Sequence, residues 1–188
     1  NFMSKKVNPY SHRLVVLRDW KSRWFSTGKK FAETLKSDIR IREFLNKKLR
    51  QAYLSSIEIE RSRKGARIII KTSRPGVIIG RQGEGAKKLR EDVVAMMTKQ
   101  KIAVPEDLKI DIQEVANPDA DAAIVAYSIV EGLEKRLPFK RVIKMALDKV
   151  MASREVKGAR IVVSGRLNGA DMARREEVKQ GSIPLQTL

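Results

Sequence analysis

The chain has 188 residues, enough for one large or two small cores, and its 40 Lys and Arg against 22 Asp and Glu leave a formal net charge of +18, which points to a polyanionic partner. Hydrophobic residues at 42% exclude a disordered basic tail. The lack of Cys and the single His, His12, exclude disulfides, a thiol nucleophile and a Cys/His zinc site, and without an apolar run near the ~18 residues of a bilayer span a soluble, intracellular protein is expected.

Residues 1–30 carry Lys5, Lys6, Arg13, Arg18, Lys21, Arg23, Lys29 and Lys30 against one acid, Asp19, with Trp20 and Trp24 among them. Cations neutralise phosphates and flat rings stack on bases, so the segment suits nucleic acid. A second reading is that Trp20, Trp24 and Phe25 pin a basic arm onto a neighbouring domain. From Ser37, a good N-cap ahead of Asp38, the spacing predicts a helix with Ile39, Ile41, Phe44, Leu45, Leu49 and Ala52 largely on one face. Arg40, Lys47, Lys48 and Arg50 occupy the other.

SSIEIERSR alternates apolar with charged residues, Arg63-Lys64-Gly65 turns, and the β-branched run of ARIIIKTS reads as a more buried strand, so a hairpin is predicted. RPGVIIGRQGEGAKKL, residues 74–89, leads into a helix over 84–98 with Leu89, Val93, Met96 and Met97 inward, and LKIDIQEV, residues 108–115, alternates as a third strand. Asn117-Pro118 marks a boundary, because proline disfavours helix before it and suits a helix start. An Ala-rich, mostly buried helix is then predicted over 119–137 (Ala122, Ala126, Ile129, Val130, Leu133, Leu137), and Pro138 separates it from another. In that helix Phe139, Val142, Ile143, Leu147, Val150 and Met151 keep i, i+3, i+4 spacing while Lys140, Arg141 and Lys144 cluster opposite. GARIVVSG reads as a strand, followed by a glycine-containing turn at 165–169 and a basic segment over 172–180.

The glycines of residues 74–89 resemble three kinds of phosphate loop. A Walker loop fails, since Ala86 stands where lysine must reach the phosphates and no Ser or Thr follows. A dinucleotide fingerprint fails too, with Lys88 at the third glycine position and Pro75 interrupting the approach. What remains is Gly80-Arg81-Gln82-Gly83, a GxxG between a short apolar helical segment, 77–79, and a longer helix. Glycines let a sugar-phosphate backbone come close, the amides of the following helix face its oxygens, and Val77, Ile78 and Ile79 offer an apolar floor for bases. The order helix, strand, strand, GxxG, helix, strand is the type II KH arrangement, a single-strand clamp.

KKVNPYSHRL, TSRPGVIIGRQGEGAKKLRED, IVEGLEKRLPFKRVIKMAL, GARIVVSGRLNGADMARREE and QGSIPLQTL, in that order, resemble the bacterial small-subunit ribosomal protein S-three family over nearly the whole chain. The resemblance implies an α+β protein: a basic N-terminal arm over 1–36, a type II KH domain with a three-stranded sheet packed by helices over 37–116, and a smaller α/β C-terminal domain over 117–188. It implies a structural constituent of the small-subunit head in the cytoplasm that binds rRNA and lines the path by which mRNA enters. Its neighbours would be S-ten and S-fourteen in the head and S-four and S-five near the mRNA path, with no cofactor, metal, membrane or homo-oligomer. By position, Gly80, Arg81, Gln82, Gly83 and Lys87 match the KH loop, and Lys140, Arg141 and Lys144 match the helix facing incoming mRNA. Lys5, Lys6, Arg13, Lys21, Arg23, Arg166, Arg174 and Arg175 match rRNA-contacting segments.

Departures from the family pattern carry expectations of their own. Neutral Gln82 should weaken phosphate attraction, Asn168 stands for a usual glycine but tolerates left-handed backbone, and Glu177 and Val178 replace common aromatics. Asn1 and Phe2 precede Met3, the position resembling the family's start. The family pattern continues past Leu188 into further strands, so an edge there should need rRNA or a neighbour to cover it. The alternative to a ribosomal role is a free KH-type regulator of single-stranded RNA. An enzyme is disfavoured, since His12 has no evident acid partner and carboxylates should pair along helices, as Asp148 with Lys144.

Overall fold

The structure, a computed structural model, describes residues 7–62, 65–100, 102 and 104–183. Lys5 and Lys6 of the arm, Arg63 and Lys64 of the predicted turn, and the end of QGSIPLQTL lie outside these residues. The arm opens with one helical turn, α1 (Pro9–His12), whose N-cap Asn8 accepts from the Tyr10 amide at 2.9 Å. It then lays a two-residue strand, β1 (Ser22–Arg23), parallel to the sheet.

The next helix, α2 (Gly28–Lys48), does not start at Ser37: it runs from Thr27, its N-cap in extended backbone, unbroken through residues 36 and 37. Ser37 and Asp38 are polar because of a tertiary contact. Both are buried inside the helix's packed face, at 3% and 0% exposure. Ile39, expected on the apolar face, is exposed.

Alternation then gives β2 (Leu54–Arg61) and β3 (Gly65–Thr72), antiparallel, with Ile57 opposite Ile70 and Ile59 opposite Ile68. The Ser62 amide donates to Gly65 O at 2.9 Å across the turn. A parallel partner for β3 needs a crossover, which α3 (Pro75–Ile79) and α4 (Glu84–Lys99) supply before β4 (Asp107–Glu114). The sheet order β1-β2-β3-β4 adds one short strand from the arm to the three expected. Ile41 and Leu45 of α2, Ile59, Ile68 and Ile70 of the sheet, and Val93 and Met97 of α4 share one core at 0–2% exposure. Each such side chain contributes about 1.5–3 kcal/mol on burial.

The second unit starts at a helical turn, Pro118–Ala120, and α5 (Ala122–Glu134), where Asp121 caps by accepting from the Ala123 amide at 2.8 Å. Then follow α6 (Phe139–Ala152), β5 (Gly158–Gly165) and its antiparallel partner β6 (Arg174–Gly181). Phe139, Ile143 and Leu167 form its core with Leu133, Ile161 and Val163 packed around them.

Two expectations fail here. α5 is shorter than 119–137 and buries only Ile124 and Ile129, leaving Val130 and Leu137 at 38% and 48% exposure. For Val130 the cause is cover, since the apolar side of α5 faces a groove of about 610 Å³ toward β5 that the two-stranded sheet does not fill, whereas Leu137 lies past the end of the helix. The two units touch through a Ser55–Asp121 hydrogen bond, an Arg50–Glu134 ion pair and Tyr127 of α5, which packs on the main core. Among the described residues no helix is long and apolar enough to cross a membrane.

Candidate nucleic-acid interface

The glycine loop is built by backbone that other residues resist. Gly80 and Gly83 hold φ of +67° and +79°, and Gln82 between them sits at +53°, so the chain makes a left-handed turn from α3 into α4. Left-handed backbone costs an ordinary residue about 1–2 kcal/mol, which is why the glycines flank the turn. Arg81, Gln82 and Lys87 are exposed around it, and the first turn of α4 faces the same loop.

The apolar floor is only partly as expected. Ile78 is 4% exposed and belongs to the core, while Val77 and Ile79 point outward. A helix of one turn and a half cannot present three consecutive residues to one side.

Gly85, outside the GxxG, proves structural. A Cβ there would meet the carbonyl oxygens of Ile78 and Ile79, the latter at 2.9 Å, so glycine is what lets α3 lie on the start of α4. No spacing rule flags this contact. A second feature invisible in sequence is Tyr53, in left-handed backbone at φ +52°, with the Arg74 guanidinium 4.1 Å from its ring centre.

The arm is tied to the sheet by one buried carboxylate. Asp38 accepts from Trp24 Nε1 at 2.7 Å, Ser22 Oγ at 3.2 Å and Arg61 Nε at 2.8 Å. Trp24 also packs at a tilt on Phe31, 5.4 Å between ring centres. The two readings of the aromatics thus divide by residue: Trp24 anchors, whereas Trp20 and Phe25 are exposed.

Arg23 is committed to carboxylates, at 2.7 Å to Asp19, 3.2 Å to Glu58 and 2.6 Å to Glu60. Its hydrogen bonds to Glu60 and Asp19 raise its pKa above the usual value. The Trp20 amide and then Arg23 lower that of Asp19. Lys21 lies over the Tyr10 ring, and Arg13 donates to Pro9 O at 3.0 Å.

On α6, Lys140, Arg141 and Lys144 are exposed together and make no ion pair among the described residues. The pair expected between Lys144 and Asp148 does not form. With the cation N-terminal to the anion the i, i+4 orientation is the weaker one and opposes the helix dipole. The helical pair that does form, Glu131–Lys135 at 2.6 Å, has the anion N-terminal, and further pairs run across strands, as Lys71–Glu58 at 2.5 Å and Arg160–Glu177 at 2.7 Å do.

After β5 the chain turns through Asn168 at φ +53°, the left-handed backbone that asparagine tolerates. Arg166 donates to Ala170 O at 2.8 Å, Arg174 lies over the Phe139 ring, and Arg175 is exposed on β6. Arg160 first, and Lys179 with it, hold the Glu177 carboxyl down at about 2. A depressed folded pKa adds stability above the ordinary value of 4.5 and loses it as pH falls through about 2. A carboxyl NMR titration of Glu177 is expected to show its midpoint near the lower figure, and a midpoint near the ordinary one would contradict the pairing.

Among the described residues no three His, Asp or Glu side chains converge as a metal site. A profile described as KH domain matches residues 40–120, and one described as ribosomal protein S3, C-terminal domain, matches residues 129–188. The small ribosomal subunit protein uS3 of Nitrosomonas europaea is 45% identical over 186 residues, 99% of this chain and 83% of that protein. That of Caldicellulosiruptor saccharolyticus is 43% identical over 99% and 81%, and that of Lactobacillus acidophilus 44% over 99% and 79%.

The chain belongs to the uS3 family. The relatives it matches are named as proteins of the small ribosomal subunit and not as enzymes. The GxxG turn lies inside the stretch that the KH domain profile matches.

Proposed function

We propose that the chain is a structural constituent of the small ribosomal subunit, in the cytoplasm, that binds small-subunit rRNA and lines the path by which mRNA enters. The observation that carries this reading is the cationic face of α6, where Lys140, Arg141 and Lys144 stand exposed and unpaired among the described residues while Phe139, Val142 and Ile143 bury the opposite side. A charge left free of carboxylates is available to phosphate.

In this proposal Gly80, Arg81, Gln82, Gly83 and Lys87 clamp RNA backbone, and Lys140, Arg141 and Lys144 meet mRNA. Lys5, Lys6, Arg13, Lys21, Arg166, Arg174 and Arg175 hold rRNA. Arg23 contributes least, its charge being spent on three carboxylates. The arm over 1–36, the KH unit over 37–116 and the unit over 117–188 divide the work, and proteins S-ten, S-fourteen, S-four and S-five adjoin it.

Neutralising about six phosphates is expected to cost ~10³-fold in affinity between 50 and 200 mM salt. Filter binding of the full chain to small-subunit rRNA reads this directly, and salt-indifferent binding would refute it. Co-sedimentation with small subunits separates the role from that of a free KH regulator, which stays in the soluble fraction. Combined Lys140→Ala, Arg141→Ala and Lys144→Ala is expected to slow translation through a stable mRNA hairpin while subunits still assemble. Unchanged passage would remove α6 from the mRNA path.

A further inference from the structure

The loop between α1 and β1 carries three consecutive aliphatic side chains, Val15, Val16 and Leu17, at 85%, 83% and 68% exposure. Scattered apolar residues on a surface need no explanation, but a contiguous exposed cluster marks an interaction site. The tip is also held rather than loose. The Val15 amide donates to Arg18 O at 2.8 Å, and those of Leu17 and Arg18 donate to Arg13 O at 3.0 and 2.9 Å. Val15 itself sits at φ +73°, a region that β-branched residues rarely adopt and that persists only where surrounding bonds enforce it. Below the tip, Tyr10 Oη donates to Asp19 O at 2.7 Å, and Arg23 ties Asp19 to Glu60 of the sheet.

We infer that this tip is an apolar wedge that enters RNA, seating Val16 and Leu17 against an unstacked base or base step of small-subunit rRNA. Charge selects RNA over a protein pocket. Arg13 and Arg18 flank the tip in sequence, and the Arg18 and Lys21 charges lie 5.5 and 5.1 Å from the Tyr10 ring centre at its base. Asp19, the carboxylate next to Arg18 in sequence, is already taken by Arg23 and the Trp20 amide. Cations flanking a rigid aliphatic knob are the combination by which architectural proteins neutralise backbone and part stacked bases, and RNA offers splayed bases in its loops and bulges. The inference rests on the RNA-binding reading above and adds a contact that no cation supplies.

The test uses the full chain and in vitro transcribed small-subunit rRNA over a range of salt. Val16→Ser with Leu17→Ser is expected to weaken binding on the order of ten-fold at every salt concentration, because lost apolar burial releases no counterions. Arg18→Ala is expected instead to lower the slope of log affinity against log salt by about one. Dimethyl sulfate reactivity of one or two bases, altered by the unmodified chain, should revert with the double Ser variant. Val16→Ile with Leu17→Met should preserve both signals, which separates wedge loss from misfolding. Unchanged affinity of the double Ser variant would overturn the wedge and leave RNA binding standing; reduced incorporation of that variant into subunits would then assign the tip to a protein neighbour. Salt-indifferent binding by the unmodified chain would overturn the RNA reading and the wedge with it.

Discussion

Replacing Asp38 by Ala is expected to lower the unfolding free energy by about 3–5 kcal/mol, the range for removing one partner of a buried ion pair. The carboxylate has no exposure, and its loss strands the Arg61 guanidinium, whose side chain is only 18% exposed, beside a Trp24 indole N–H without its acceptor. Exposed pairs elsewhere in the chain contribute at most about 1 kcal/mol each, so this site stands apart from the rest of the charge. The same change should free the arm, since β1 pairs with β2 through only two residues. Urea unfolding gives the energy, and Trp24 fluorescence, shifted to the red as the indole meets water, reports the release. A loss below about 1 kcal/mol would mean that Asp38 behaves as a surface carboxylate and does not hold the arm.

Gly85→Ala is expected to be the most damaging single methyl in the KH unit. Helix propensity favours Ala over Gly by about 1 kcal/mol, but overpacking costs about 1–3 kcal/mol. The atoms in the way are the Ile78 and Ile79 carbonyls, which no rotamer change can move. The expected net is a loss of up to about 2 kcal/mol, with α3 pushed off α4 and the Gly80–Gly83 turn opened. RNA affinity should fall with it. Gly76→Ala is the control: a Cβ there meets nothing within 4 Å, so the variant should be as stable as the parent or more so. Equal stability of the two variants would show that α3 and α4 do not approach as closely as described.

Much of this was legible in the sequence where the physics is local. Alternation located β2 and β4, the β-branched run located β3, and the i, i+3, i+4 repeat located α4 and α6, because each buries apolar side chains against a core. The GxxG was legible because its turn demands positive φ at Gly80 and Gly83. The sequence misleads where a residue answers to a distant partner. Ser37 and Asp38 look like a helix cap by their side chains, yet their partners are Arg61 in β2 and Trp24 in the arm. The lysine-rich start of α2 has little apolar periodicity to announce a helix. Apolar composition likewise made α5 look buried, whereas burial depends on what is packed opposite. The wedge residues read only as part of a basic arm, since exposure of Val15, Val16 and Leu17 is a property of the folded loop.

The most direct test of the account is a cryo-electron microscopy map of small subunits reconstituted with this chain. The expected result places RNA phosphates within hydrogen-bonding reach of the Gly80–Gly83 turn or the arm cations, with Lys140, Arg141 and Lys144 turned to the channel that mRNA occupies. A map in which those cations face open solvent while another surface of the chain holds it in the subunit would contradict the account.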